Sequence, residues 1–259
     1  MTRGRLSKSI LASETWLVYF FLYAPILILV IFSFNSSRYA IWEGFSWQWY
    51  TTLWQDDLIQ RAIKNSLIVA LAATVISTLI GTLAALGMQR FEFRGRGTMD
   101  ALFYLPVIVP EIVMAASLVI FFGFLHFTLG MTTIILAHIA FCVSYVIIVV
   151  RARLEGFDRT LEEAAMDLGA NEFKTFFRVT LPIIFPGILS GALLAFTLSI
   201  DDYLITSFVA GVGSTTLPLQ IYSMVKTKVT PEINAVSTLL LVPTIILIIL
   251  ADRLQRERS

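Results

Sequence analysis

The stretch SLIVALAATVISTLIGTLAALGM, residues 66–88, has 23 residues and no charged side chain. A run of about 20 mainly apolar residues is long enough to cross the hydrocarbon core of a bilayer as an α-helix. The apolar residues are continuous and do not alternate with polar ones, which favours a helix over a strand of a membrane barrel. Lipid satisfies no free backbone N–H or C=O group, so only these two structures can span a membrane. The stretch therefore predicts a transmembrane helix.

The composition of the whole chain agrees with this prediction. Hydrophobic residues make up 57% of the 259 residues and charged residues only 14%, whereas soluble domains contain about 25% charged residues. The net charge of +1 gives no bulk attraction to nucleic acid. We therefore predict an all-α integral membrane protein with a single transmembrane domain over residues 1–259. Its six predicted spans are residues 15–35, 66–88, 101–125, 131–150, 183–204 and 235–251.

Basic residues outside the spans predict how the chain is oriented in the membrane. Of the 19 Lys and Arg residues, 14 lie on the side of the two termini and of residues 151–182, and 5 lie on the other side. Cytoplasmic segments are enriched in Lys and Arg, so both termini and residues 151–182 are predicted to be cytoplasmic. The first span is too long for the apolar part of a signal peptide, and no small-residue cleavage site follows it, so we interpret it as uncleaved.

A charged segment, EEAAMDLGANEFKTFFRVTLP (residues 162–182), lies between the fourth and fifth predicted spans. Thr160 and Glu163 have the spacing of a capping box, which predicts the start of a short helix. Gly169 stands where a helix ends in a left-handed residue, and Asn171 can cap a second helix. One face of the first helix carries small and apolar side chains at helical spacing. These residues are Leu161, Ala164, Ala165 and Leu168.

From spacing alone, this segment either docks against another protein or lies as an amphipathic connector on the lipid headgroups. The pattern Glu163-Ala164-Ala165, Gly169, Val179-x-Leu181-Pro182 resembles the EAA loop of ABC-importer permeases. The family commonly has isoleucine where this chain has Val179. The motif combines a fixed spacing with a fixed place, the cytoplasmic loop before the penultimate span. The resemblance covers residues 158–182 and favours the docking interpretation.

Further segments along nearly the whole chain resemble the polyamine branch of this family, the spermidine/putrescine permeases of binding-protein-dependent importers. They are Tyr23-Ala-Pro25, Phe34-Asn-Ser-Ser-Arg38, Phe196-Thr-Leu-Ser-Ile-Asp-Asp202 and Val229-Thr-Pro-Glu-Ile-Asn-Ala235.

The resemblance implies a type I importer in a bacterial inner membrane. A homologous second permease would complete a heterodimer, a cytoplasmic ABC ATPase dimer would supply energy, and a periplasmic polyamine-binding protein would deliver the substrate. The sequence contains no phosphate-binding loop, so ATP and Mg²⁺ are expected on the ATPase, and this chain is expected to be neither an enzyme nor a cofactor carrier. The residues implied to couple to the ATPase are Glu162, Glu163, Ala164, Ala165, Asp167, Leu168, Gly169 and Ala170.

Carboxylates within predicted spans are candidates for a substrate pathway, because ionised groups are costly there unless they face water or a partner. Glu111 would lie about 15 Å along a straight third span, and Asp201 and Asp202 end the fifth. Aromatic rings near such acids suit a ligand with several ammonium groups through cation–π contacts; the candidates are Tyr203, Trp47 and Tyr222. The alternatives are a Glu111 that is protonated or bonded to carbonyls freed near Pro106 and Pro110, a solvated helix end at the aspartates, and interfacial anchoring or helix packing for the rings.

Other polar groups within the spans carry less information. We interpret Cys142 as a small buried side chain and His138 as a hydrogen-bonding residue between helices, although a histidine can also relay protons. The alternatives for function are an ABC-importer permease for another small solute or cation, and a stand-alone proton-coupled carrier that uses Glu111 and His138. An intramembrane hydrolase would need a cluster such as H-E-x-x-H, which is absent from the sequence; no metal site is predicted.

Overall fold

A computed structural model of the chain describes residues 3–39, 41–227 and 231–256, with side-chain burial for residues 11–39, 41–227 and 231–246. Within these ranges the structure is nearly all helical, which confirms the predicted fold class, and the strand pairing found there is one isolated bridge between Asn35 and Phe45. The helices up to residue 155 are α1 (Arg3–Phe32), α2 (Gln48–Gln55), α3 (Asp57–Arg90), α4 (Arg96–Ile108), α5 (Glu111–Phe124) and α6 (Met131–Glu155). The helices that follow are α7 (Thr160–Asp167), α8 (Glu172–Thr175), a π-helical segment (Phe176–Thr180), α9 (Leu181–Asp201), α10 (Leu204–Val209), α11 (Leu217–Thr227) and α12 (Pro231–Arg256).

Four of the described helical stretches are long and apolar enough to cross a membrane. They match the predicted first, second, fourth and fifth spans, and they cover Leu11–Phe32, Asp57–Arg90, Met131–Glu155 and Glu172–Asp201. The fifth span ends earlier than residue 204, because Asp202 adopts an extended conformation with ψ 122°. The sixth prediction corresponds to α12, whose apolar part is described over Pro231–Ile246. The count of six spans stays a prediction.

The predicted third span is not one straight helix. Residues 101–125 form parts of two helices, α4 and α5, whose axes differ by 110° across a short break. The break occurs at Pro110, which has no N–H to donate, and the residue before a proline is disfavoured in the helical region. Val109 is accordingly extended, with φ −69° and ψ 131°.

The chain forms two compact units, Met1–Gln60 with Ile221–Pro243, and Arg61–Gln220 with Thr244–Ser259. In the first unit, the buried Asn35 organises the loop after α1. Its side-chain amide donates to the carbonyl oxygens of Tyr39 and Ile41, at 3.3 and 2.8 Å, and its Oδ1 accepts from the Glu43 N–H at 3.1 Å. Helix α2, Gln48–Gln55, follows this loop.

The second unit is built around α6, which packs most extensively against α9. Close approach depends on glycines: a Cβ at Gly187 would lie 2.6 Å from the Cβ of Arg153, and one at Gly81 would lie 2.7 Å from the Val146 side chain. Small residues at such contacts are typical of membrane helices. Cys142 is fully buried in this core, as predicted.

Candidate functional site

A cavity of about 390 Å³ lies in the second unit where α4, α5, α6, α9 and α10 meet. Its volume is within the range of small-molecule sites, about 300–1,000 Å³. We call it the acidic cavity, because three carboxylates line it. Its lining residues are Pro106, Glu111, Met114, Phe141, Tyr145, Thr197, Leu198, Asp201, Asp202, Tyr203, Leu204 and Ile205.

The break after α4 places Glu111 at the wall of this cavity. Glu111 is the first residue of α5, where the positive end of the helix dipole favours a carboxylate. The depth of about 15 Å expected from a straight span therefore does not apply, because the helix changes direction immediately before this residue. Among the described residues, the Glu111 carboxylate forms no hydrogen bond or ion pair and is exposed.

Asp201 and Asp202 are adjacent in sequence but differ in environment. The Asp202 side chain is only 7% exposed; it accepts from the Thr206 N–H and hydroxyl, both at 2.8 Å, and from the Ile205 N–H at 3.3 Å. Asp201, the last residue of α9, is exposed and makes no such contact within the described ranges. Asp202 thus caps α10, whereas Asp201 and Glu111 keep unpaired carboxylates in the same cavity.

His138 on α6 completes the hydrogen bonding of Asp202. Its Nδ1 lies 2.7 Å from the Ser199 hydroxyl of α9, and its Nε2 lies 3.0 Å from the Thr206 hydroxyl and 3.2 Å from Asp202 Oδ2. Because the Thr206 hydroxyl donates its proton to Asp202, Nε2–H donates to the Thr206 hydroxyl, and Nδ1 shares the second hydrogen bond with the Ser199 hydroxyl. These contacts confirm the interpretation of His138 as a hydrogen-bonding residue between helices.

A second candidate region is the cytoplasmic segment predicted from the EAA pattern, residues 158–182, which we call the coupling loop. Gly169 has φ +88° and ends α7 in a Schellman motif: the Gly169 N–H donates to the Met166 carbonyl at 2.9 Å and the Ala170 N–H to the Ala165 carbonyl at 3.1 Å. Asn171 Oδ1 accepts from the Lys174 N–H at 2.9 Å. The left-handed glycine and the asparagine cap are therefore both confirmed.

The predicted capping box at the start of α7 was wrong. Thr160 is already helical, and the carboxylate of Asp158 accepts its backbone N–H at 3.0 Å. This hydrogen bond, together with one from the Thr160 side chain, lowers the pKa of Asp158. The Glu163 N–H donates to the Arg159 carbonyl at 3.2 Å, so an Asx-type cap by Asp158, two residues before Thr160, replaces the box.

The eight residues expected to couple to an ATPase divide into two groups. Five are exposed, and Leu168 is 91% exposed at the tip of the turn; the exposed residues are Glu163, Ala164, Asp167, Leu168 and Gly169. Glu162, Ala165 and Ala170 are partly buried, and the Glu162 carboxylate turns inward to Arg90 and Thr180. The most exposed of these side chains is therefore Leu168 at the turn, and Phe173 is exposed close by in sequence.

Comparison with known proteins decides the family. The model of the family described as "Binding-protein-dependent transport system inner membrane component" matches residues 77–256. The chain belongs to this family. It is 41% identical to the spermidine/putrescine transport system permease protein PotC of Haemophilus influenzae, over 94% of this chain and 95% of that one. It is 47% identical to the putrescine transport system permease protein PotI of Escherichia coli, over 85% of this chain and 82% of that one.

Solved structures support the same fold for this inner-membrane component. A chain of a bacterial ABC transporter involved in the import of alginate superposes with a TM-score of 0.78 at 18% identity, covering 98% of this chain and 96% of that one. A chain of the MetNI methionine ABC transporter gives a TM-score of 0.60 at 17% identity, covering 79% and 99%. The fold is therefore that of an ABC-importer permease.

The structure brings four of the six predicted pathway residues of this family member together, namely Glu111, Asp201, Asp202 and Tyr203. Trp47 and Tyr222 belong to the other compact unit and do not line the acidic cavity. Trp47 packs in an aromatic cluster with Phe34, Phe45 and Tyr50, and the Tyr222 ring lies 4.6 Å below the Lys226 ammonium.

Sequence reasoning missed Phe141 and Tyr145, which line the acidic cavity from α6. They are four residues apart and therefore share a helix face. This spacing is the signal that could have found them, but every face of the predicted fourth span is apolar, so the pair did not stand out.

Removing His138 is expected to destabilise this transport component. In His138→Leu, the hydroxyl of Ser199 loses its hydrogen-bond partner, and Asp202 and Thr206 lose a donor, at a cost of about 1–3 kcal/mol for each buried group left unsatisfied. A thermal unfolding experiment in detergent should show a decrease of about 2–4 °C per kcal/mol lost. Ser199→Ala and Thr206→Val, which each remove one contact, should give smaller decreases. An unchanged melting temperature in His138→Leu would contradict the assigned network.

Proposed function

We propose that this chain is the transmembrane permease subunit of an ATP-driven importer that carries polyamines such as spermidine and putrescine across the inner membrane. The observation that carries the proposal is the acidic cavity, in which the carboxylates of Glu111 and Asp201 are unpaired within the described chain and aromatic rings stand beside them. The named functions of the PotC and PotI relatives support the same cargo.

The chemistry of the cavity suits an extended molecule with more than one ammonium group. Two unpaired carboxylates offer two charged acceptors, and hydrogen bonds to charged groups contribute about 1.5–3 kcal/mol each. The faces of Phe141, Tyr145 and Tyr203 can stack on the methylene chain or contact an ammonium group. A carboxylate-lined cavity disfavours anions, so another small cation is the main alternative cargo.

Energy for transport would come from a partner, since the sequence has no phosphate-binding loop. An ABC ATPase dimer would bind ATP and Mg²⁺ in the cytoplasm and dock on the exposed turn of the coupling loop around Leu168. A homologous second permease would complete the pathway, and a periplasmic polyamine-binding protein would deliver the substrate. Both termini would lie in the cytoplasm, as the distribution of Lys and Arg indicates.

A stand-alone proton-coupled carrier is a weaker candidate. Such a carrier would need His138 to exchange protons along the pathway, but both nitrogens of His138 bond to groups of neighbouring helices and its side chain is buried. The exposed coupling loop would also have no partner in such a mechanism.

Reconstitution tests the proposal directly. The chain should co-purify in mild detergent with a second permease and an ATPase. In proteoliposomes, this assembly should take up radiolabelled spermidine or putrescine only when ATP and the loaded binding protein are present, and the chain alone should transport nothing. Uptake by the isolated chain driven by a proton gradient would contradict the importer assignment. ATP-dependent uptake of another solute that polyamines do not inhibit would contradict the proposed cargo.

A further inference from the structure

Glu162 and Glu163 are consecutive glutamates on α7, but they face different surroundings. The Glu163 side chain is exposed, whereas the side chain of Glu162 is only 14% exposed. Oxygen Oε1 of Glu162 accepts two hydrogen bonds, one from the guanidinium of Arg90 and one from the hydroxyl of Thr180. Glu162 therefore cannot act as an outward docking residue while these contacts persist, because its carboxylate is bonded to groups of the same chain.

The two donors to Glu162 belong to different membrane-spanning stretches. Arg90 is the last residue of α3, and Thr180 is the last residue of the π-helical segment that continues into α9. A second contact strengthens the link to α3: the Arg159 guanidinium, just before α7, donates to the Gln89 carbonyl at 2.6 Å. The first turn of α7 is thus tied to the cytoplasmic ends of two spans.

The side chains around Glu162, Arg90 and Thr180 form a tightly packed junction. Besides the polar groups, it is lined by the apolar side chains of Leu86, Leu154 and Phe157, and only about 10 Å³ of space remains within it. That volume holds at most about one water molecule. Leu154 and Thr180 are almost fully buried. A rigid contact of this kind transmits displacement, because packed groups cannot move independently of each other.

One of the two tethered spans leads directly to the acidic cavity. The helical stretch Glu172–Asp201 is continuous, with Thr180 at the junction and the unpaired carboxylate of Asp201 at its other end. The π-helical turns before α9 are unusual, and such segments occur frequently at functional sites. A movement of α7 that pulls on Thr180 would therefore act on the helix that carries a ligand-facing acid.

We propose that Glu162 is a positioning residue that couples movement of α7 to α3 and α9, rather than a residue that binds the ATPase. This inference rests on the proposed function as an ATPase-driven permease. It divides the coupling loop into an outward surface around Leu168, which receives the partner, and an inward contact at Glu162, which passes the displacement to the spans.

The test uses the complete importer in proteoliposomes, with substrate uptake and ATP hydrolysis measured in the same sample. In Glu162→Gln, the ATPase should co-purify as in wild type, but uptake per ATP hydrolysed should fall by about fivefold or more, the lower end of typical coupling effects. Thr180→Val, which removes one donor at nearly constant volume, should give a smaller loss. Glu155→Gln, a matched loss of one exposed charge at the end of α6, should behave as wild type.

A charge exchange separates this role from a merely structural one. Arg90→Glu and Glu162→Arg should each reduce the uptake per ATP, and the double variant should recover at least part of it because the opposite charges again face each other. A double variant no better than the single ones, a Glu162→Gln complex with an unchanged ratio, or one that loses its ATPase would overturn the inference. A wild-type complex that imports a different solute would overturn only the proposed cargo, and the ratio would then be measured with that solute.

Discussion

Gly169→Val is expected to reduce polyamine uptake by the assembled importer by about tenfold while the protein remains folded in the membrane. Gly169 has φ +88°, a conformation that costs an L-residue about 1–2 kcal/mol and a β-branched residue more. A cost of about 1.4 kcal/mol lowers the equilibrium constant for forming the native turn about tenfold. In the part of the chain that the structure describes, nothing lies within 4 Å of a Cβ built at this position, so the effect comes from backbone strain and not from a clash.

Two controls make the Gly169 result specific. Gly169→Asn should retain most of the activity, because asparagine tolerates the left-handed conformation. Gly156→Val should also be nearly silent: Gly156 ends α6 with φ −91°, which any residue adopts, and a Cβ there has open space around it. The measurements are uptake in proteoliposomes and the amount of ATPase that co-purifies with each variant.

The outcome at Gly169 bears on the docking surface itself. The exposed Leu168 immediately precedes this glycine, so a distorted turn displaces the surface proposed to meet the ATPase. Normal co-purification and normal uptake in Gly169→Val would show that the turn has no part in coupling.

Local features of the coupling loop could be predicted from the sequence because they depend on neighbouring residues. The left-handed turn follows from Gly169, and the cap of α8 follows from Asn171, whose side chain bonds a backbone group three residues away. The capping box failed for a related reason. In a capping box the Glu163 carboxylate would accept the backbone N–H of Thr160, but the carboxylate of Asp158, two residues before Thr160, accepts it instead. Sequence spacing did not show which of the two caps would form.

Long-range contacts could not be predicted in this way. Glu162 and Glu163 look alike in the sequence, and only the positions of Arg90 and Thr180, 72 and 18 residues away, distinguish them. Asp201 and Asp202 differ for the same reason, because the partner of Asp202 on α6 is His138. The acids were found because they are rare in an apolar chain, whereas their roles depend on which helices pack together.

The break between α4 and α5 was recognisable in part. Pro106 and Pro110 stand within the predicted third span, but prolines also occur inside continuous helices of this chain: Pro25 lies within α1 and Pro186 within α9. A proline alone therefore did not predict a change of direction. The consequence for the site is substantial, because the break places Glu111 at the start of α5, where it lines the same cavity as Asp201.

Neutralising both unpaired acids of the cavity is expected to have the largest effect on transport. Each charged hydrogen bond to an ammonium group contributes about 1.5–3 kcal/mol, so Glu111→Gln or Asp201→Asn alone should raise the KM for polyamine uptake by about tenfold. If the two carboxylates bind different ammonium groups, the effects should add, and the double variant should lose about a hundredfold in kcat/KM.

The neighbouring Asp202 provides the most informative contrast to this pair. Its oxygens already accept from Thr206 and Ile205, so Asp202→Asn should lower the melting temperature, whereas Glu111→Gln and Asp201→Asn should leave it nearly unchanged. Glu155→Gln controls for the loss of one negative charge away from the cavity. If the double variant transported polyamines with wild-type kinetics, the acidic cavity would not be the substrate site. If Asp202→Asn instead raised the KM at constant stability, Asp202 would be a ligand-binding acid and its bonds to α10 would open during transport.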